Sequence, residues 1–359
     1  SSGKVQMISA VLPGSSRTPV MSRSSRLPAQ KGFHINAATG ENLSLLAMLA
    51  LLVVVFSVAS PRFLTGANFG SMGFQMPLLG LLTLAMLAPI LSGGLNLAIV
   101  YTANISGLTL AWTIMQFGGA EAGVSALVLG CTLALIVGAL AGAVMGGVVA
   151  YVGAHPILVS LAMMIFLRGL GEFLTRGGDI SGFPDYMRVL GHGSLIGIPV
   201  PLILFGLVAF GWHILLRRSP HGFSTYMTGS NMKAAEYAGL NAKRTLVLIY
   251  TLSGVLCAIA GILMAARFNS VRVGHGEAML LITVLACFLG GIDPFGGHGR
   301  VAPVITALIT LQVLSSGLNL VGANQHLSTA VWGLFLIAVM VLRSGQIQRT
   351  LKFLLGKDK

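Results

Sequence analysis

GVSALVLGCTLALIVGALAGAVMGGVVAY, residues 123–151, carries no charged side chain and shows no alternation of polar with apolar residues. At about 1.5 Å of rise per residue, a helix of this length exceeds the roughly 30 Å hydrocarbon core of a bilayer. A membrane strand would alternate lipid-facing and polar positions, so the run is read as a spanning helix. It lies inside a wider charge-poor region: between Arg62 and Arg168 the only Asp, Glu, Lys or Arg is Glu121. Across all 359 residues, 55% are hydrophobic and 9% charged. A soluble domain carries about 25% charged residues, so 9% cannot cover a water-facing surface of this size. The fold class is therefore an all-α polytopic membrane protein.

Working outward, ten hydrophobic segments fall at about 43–59, 74–92, 97–117, 123–151, 156–175, 195–216, 245–266, 278–291, 301–318 and 326–342. Gly, Pro or shortness marks the second, third and eighth, and a re-entrant segment can replace one of them. Three regions follow: a flexible basic cytoplasmic tail over 1–42, a transmembrane domain over 43–345, and a cytoplasmic C-terminal tail over 346–359. The first acid in the chain is Glu41. An Arg- and Ser-rich transit peptide is the alternative reading of 1–42, and no apolar core of a secretory signal precedes residue 43. With both termini inside, the inner loops hold sixteen Lys and Arg and the outer loops five: Arg62, Arg176, Arg188, Arg267 and Arg272. That bias is the positive-inside rule. It accounts for the net charge of +13 without a nucleic-acid partner.

Gly138, Gly142 and Gly146 recur every four residues, as do Ser253, Cys257, Gly261 and Ala265. Such stripes let helix backbones approach closely and predict a compact bundle. Cys131, Cys257 and Cys287 are isolated in apolar runs and read as packing residues. A broken-helix pattern occurs twice: Ser92-Gly93-Gly94-Leu95-Asn96 and Leu289-Gly290-Gly291-Ile292-Asp293 each follow an apolar run. Gly costs a helix roughly 1 kcal/mol relative to Ala, and paired Gly-interrupted segments point to a transporter's pathway. Gly93, Gly94, Asn96, Gly290, Gly291, Asp293, Gly296 and Gly297 are therefore pathway candidates, with loops at the membrane surface as the plain alternative. In loop 217–244, residues 230–240 read as a short helix that Ser230 or Asn231 caps and Gly239 ends. Lys233, Ala234, Ala235, Glu236 and Gly239 are its candidate docking residues. Arg168 and Glu172, four apart on an apolar helix, form either a functional intramembrane site or an internal ion pair.

Four blocks resemble the ribose-type permeases of ATP-binding-cassette importers. Residues 234–244, AAEYAGLNAKR, followed by Tyr250-Thr251-Leu252-Ser253-Gly254, resemble the family's coupling-helix block. Residues 290–301, GGIDPFGGHGRV, resemble its second glycine block, and residues 92–97, SGGLNL, its first. His155-Pro156-Ile157 through Arg168-Gly169-Leu170 resembles a fourth, and all four stand in family order across about 43–345. The resemblance implies an inner-membrane subunit that carries a sugar or sugar-like solute such as autoinducer-2. Its implied partners are a cytoplasmic ATPase that binds ATP and Mg, a periplasmic solute-binding protein, and a second permease subunit, identical or not. Departures exist: Asn96 stands for the family's Asp, Ala98-Ile99-Val100 for its Ser-Val-Gly, and Asp293 for Ser or Thr. They imply altered cargo or pairing with a different permease.

No GxxxxGK[ST] motif occurs, so phosphates are not cradled by that device in this chain. No metal-ligand spacing or nucleophile elbow appears, so neither a metal site nor catalysis is expected. An ion-coupled secondary transporter remains the rival reading, with Glu172 and Asp293 as its only buried-carboxylate candidates. A membrane enzyme would need a clustered polar site.

Overall fold

The computed structural model describes residues 37–324, 327–328, 330–335 and 337. The basic tail up to residue 36, the C-terminal tail and parts of the tenth expected segment lie outside the described residues. The helices are α1 Ala37–Ala59, α2 Gly66–Leu91, α3 Ile99–Gln116, α4 Val124–Gly147, α5 Pro156–Thr175 and α6 Asp185–His192. They continue as α7 Val200–Arg218, α8 Pro220–Ser230, α9 Met232–Tyr237, α10 Ala242–Phe268, α11 Met279–Leu289 and α12 Val301–Leu320. Two antiparallel ribbons of two residues per strand pair β1 Ile180–Ser181 with β4 Ser270–Val271, and β2 Ser194–Leu195 with β3 Ile198–Pro199.

Among the described residues, six helices are long and apolar enough to cross a bilayer: α2, α4 with the π-helical turn Val148–Val152, α5, α7, α10 and α12. The bundle is layered around α2, α3 and α10, which are mostly buried, while α4, α5 and α7 expose most of their apolar surface. α10 packs on α4, α3 and α2, and its stripe of Ser253, Cys257, Gly261 and Ala265 is enclosed. α4 meets it through the expected glycines. A Cβ at Gly142 would stand 2.1 Å from the Tyr250 carbonyl oxygen, and one at Gly138 2.5 Å from that of Gly254. Only hydrogen at these positions allows the two backbones to touch.

α1 begins at Ala37, so residues 37–42 belong to it and not to the expected tail over 1–42. Two other segments differ from their expected bounds for visible reasons. α2 begins at Gly66, eight residues before the expected start, because the Thr65 hydroxyl accepts the Asn68 amide and caps it. Its Gly- and Ser-rich first turns look like loop in sequence, yet their polar groups pair with α12. Ser316 donates to Asn68 at 2.6 Å, and Gln312 donates to Gln75 at 3.3 Å. α11 has 11 residues. That is about 16 Å of helix, half of the hydrocarbon thickness. Residues 272–278 lead into it as turns and 290–300 leave it as loop. The eighth segment is thus a half-length helix.

The two ends of the bundle sort the basic residues. α2 ends, and α5 and α10 begin, at the end that also carries α8, α9 and loop 290–300. A Cβ at Gly94 would meet Tyr250 Oη at 2.5 Å and Pro156 at 2.9 Å, which brings those three helices together. Of the five Arg residues expected outside, Arg62, Arg176, Arg267 and Arg272 fall at or just beyond helix termini of the opposite end, and Arg188 lies within the short α6. Among them, the Arg267 guanidinium donates to the Phe74 carbonyl.

Candidate functional site

At the α9 end, both broken helices stop in the same way. After α2, the Gly94 amide donates to Pro89 O and the Gly93 amide to Ile90 O, both at 2.9 Å. After α11, the Ile292 amide donates to Cys287 O and the Gly291 amide to Phe288 O, both at 3.1 Å. These are paired bonds of a Schellman cap, which needs a left-handed residue just past the helix. Gly93, with φ +86°, and Gly291, with φ +83°, supply it. The two Gly-Gly pairs are therefore offset by one residue: the first glycine turns the chain in one break and the second in the other. Aligning the breaks by sequence matches Asn96 with Asp293, but aligning them by structure matches Asn96 with Pro294.

The breaks also touch. The Gly297 amide donates to Leu91 O at 2.9 Å. A Cβ at Gly296 would lie 2.6 Å from the Gly93 nitrogen, and one at Gly229 1.9 Å from Leu91 O. Gly229 ends α8, so three chain segments meet backbone to backbone with no side chain between them. Tyr226 of α8 donates from its hydroxyl to Gly299 O at 2.8 Å. Burial raises its phenol above the usual range, against the pull of Arg300. Within the loop, the Asp293 carboxylate accepts the Phe295 amide at 2.9 Å and shapes the turn. Gly290 lies against Val304 of α12.

α9 hangs from this joint. Asn231 caps it, its Oδ1 accepting the Ala234 amide at 3.0 Å, and another Schellman pair closes it, the Gly239 amide donating to Glu236 O and the Leu240 amide to Ala235 O. The expected capping therefore occurs at Asn231. Lys233, Ala234, Glu236 and Gly239 face outward, while Ala235 is fully enclosed and packs inward. Tyr237 is 92% exposed, the most prominent apolar group on the helix. Sequence reasoning passed over it because an exposed tyrosine has no periodic signature.

Asn96 is enclosed. Its Nδ2 donates to Ser253 Oγ at 3.0 Å and its Oδ1 accepts the Ala98 amide at 3.1 Å. Ser253 in turn donates to Ala85 O at 2.7 Å, so one side chain ties the ends of α2 and α3 to α10.

At the opposite end, Arg168 and Glu172 do pair, at 3.0 Å, but they are half exposed rather than internal. Glu277, from the turn before α11, reaches Arg168 at 3.7 Å, and the guanidinium lies 5.9 Å from the centre of the Tyr101 ring. Glu277 was not singled out in the sequence, where its only signal is that it is an isolated acid just before an apolar run. Arg272 lies 3.9 Å from Asp179 beside this group. Burial lowers the His275 imidazole below its ordinary range, with Asp179 opposing and Arg272 adding to the effect. Among the described residues, no group of three or more His, Cys, Asp or Glu is placed to hold a metal ion.

A family model described as branched-chain amino acid transport system / permease component matches residues 68–342. The autoinducer 2 import system permease protein LsrD of Yersinia enterocolitica is 30% identical over 320 residues, covering 87% of this chain and 94% of that protein. The proteins of the same name from Enterobacter sp. and Salmonella typhi are 29% and 28% identical, over 85% and 86% of this chain and 93% and 92% of their own lengths. No solved structure matches the chain.

Proposed function

The chain belongs to the branched-chain amino acid transport system / permease component family, and from that premise we propose that it is the membrane-spanning subunit of an ATP-driven importer of a sugar or sugar-like solute. The carrying observation is α9. A six-residue helix capped at both ends, outward-facing and crowned by Tyr237, stands on the joint where both broken helices stop. A permease without a phosphate-binding loop takes its energy from a partner, and a small rigid knob set on the bundle's joint suits a mechanical contact. The ATPase that docks there binds ATP and Mg and lies in the cytoplasm. The protein is then a multi-pass protein of a bacterial inner membrane with both termini cytoplasmic, in line with the basic residues gathered at the α9 end. A periplasmic binding protein delivers the solute at the other end, and a second permease subunit completes the route. Gly93, Gly94, Asn96, Gly290, Gly291, Asp293, Gly296 and Gly297 border the inner end of that route on its protein side.

The sugar-like cargo rests on the relatives named for autoinducer 2 import and on the charged, hydrogen-bonding residues at the outer end. Proteoliposomes holding the complete complex, with ATP enclosed and the binding protein outside, test the proposal. Labelled D-ribose should accumulate only when the ATPase is present, and labelled L-leucine should not. Accumulation by this chain alone under a proton or sodium gradient would contradict it and favour the secondary-transporter reading.

A further inference from the structure

Arg168, Glu172, Gly177, Arg272, Val273, Gly274, His275 and Glu277 line a cavity of about 660 Å³ at the end of the bundle opposite α9. α10 alone separates the two ends, with 27 residues, about 40 Å of helix. We propose that this cavity is a reception site for a neutral polyhydroxylated solute entering the route, an inference that rests on the permease reading above.

The cavity's charges cannot face lipid. Arg168 stands seven residues before the end of α5, about 10 Å below the helix terminus. Its side chain is 52% exposed, and those of Glu172 and Glu277 are 50% and 59% exposed. A half-exposed charged group on a spanning helix faces water or protein, because its transfer to hydrocarbon is strongly unfavourable. α5 packs mainly on α3 and α4, and its Gly171 lies against Val273 beside the cavity. The half-exposed charges of the cavity therefore call for water or protein around them in the membrane.

The chemistry narrows the occupant. Two guanidinium groups and three carboxylates, counting Asp179 beside Arg272, are paired at 3.0 to 3.9 Å and leave a single net negative charge. An anion meets the carboxylates and a cation meets the guanidiniums, so neither gains from entering. A solute with neighbouring hydroxyl groups is different, since each hydroxyl both donates to a carboxylate and accepts from a guanidinium. The pairs are also loose: Arg168–Glu277 and Arg272–Asp179, at 3.7 and 3.9 Å, lie beyond hydrogen-bond length and leave donors and acceptors free for a bridging group. His275 lines the cavity, and its Nδ1 is buried without a hydrogen-bond partner. The floor is held in place. With its amide turned to satisfy both partners, Asn104 donates to His275 O at 3.2 Å and accepts the Gly274 amide at 3.0 Å. An aliphatic amino acid, the cargo in the family's description, would find no apolar slot among the charged residues here.

Saturation-transfer NMR on the chain in lipid nanodiscs, without ATPase, tests this with D-ribose, D-xylose and L-leucine as probes. D-ribose or D-xylose should receive saturation, and Glu277→Gln combined with Arg168→Gln should weaken binding about tenfold through loss of charge-assisted hydrogen bonds. Tyr151→Phe, at an exposed position of the far end, should leave the signal unchanged. A variant with wild-type melting temperature and unchanged sugar signal overturns the proposal, as does saturation of L-leucine alone. Because the ATPase is absent, failure here with ATP-driven uptake intact removes the reception site alone. Failure of that uptake with sugar binding intact removes the ATP-driven reading.

Discussion

At Asn96 the side-chain amide is used at both ends, by Ser253 and by the Ala98 amide, in a site closed to solvent. Asn96→Ala leaves a buried amide without a partner, which costs about 1–3 kcal/mol. A lowered melting temperature of the purified protein in detergent is the expected result, and an unchanged one would show that the peg is dispensable. Ala235 and Tyr237 make a second pair of contrasts. Ala235→Arg forces a charge into an enclosed position and should lower membrane yield. Tyr237→Ala should keep normal yield and lose ATPase binding by at least about 2 kcal/mol, as for a central interface tyrosine. Co-purification with the ATPase separates the two outcomes. The residues themselves were partly legible. The caps at Asn231 and Gly239 follow from local chemistry, whereas the inward turn of Ala235 depends on how α9 packs against α8 and α10, and the union of Glu277 with Arg168 spans more than a hundred residues.

Among the elements, the α4–α10 contact was readable because a four-residue glycine period has one geometric meaning in a helix. Gly142→Val should place a branched side chain against the Tyr250 backbone and reduce folded yield severely, while Gly147→Val, where a Cβ meets open space, should not. Equal yields of the two variants, measured by size exclusion of the solubilised protein, would contradict the packing. Other elements were hidden for identifiable reasons. α2 starts early because its polar first turns are satisfied by α12, and a single sequence does not display that partner. α8 was read as loop: its Pro220 suits a first turn, and the Ser219 hydroxyl accepts the Gly222 amide, but its mixed composition shows no apolar stripe. The offset between the two Gly-Gly breaks was also invisible, since only backbone φ separates Gly93 from its neighbour.

On the scale of the molecule, the glycine joint links α8 and α9 to the end of α2 and to loop 290–300. Gly229, Gly93 and Gly296 meet there, so a push on α8 and α9 reaches α2 and loop 290–300 through backbone contacts. Gly291→Val strains a left-handed position by about 1–2 kcal/mol, and Gly94→Val drives a side chain into Tyr250 and Pro156. Both should cut uptake in proteoliposomes while leaving ATPase association intact, because Tyr237 and its helix are untouched. Normal uptake in both would detach the breaks from transport. In-cell photo-crosslinking shows whether the α9 end faces the cytoplasm and carries the ATPase. p-Benzoylphenylalanine replaces Tyr237 at one end, and in a second strain Ile196, 96% exposed at the other. An adduct between position 237 and the ATPase subunit, and none from position 196, is the expected result. An ATPase adduct at 196, or a periplasmic protein captured at 237, would contradict it.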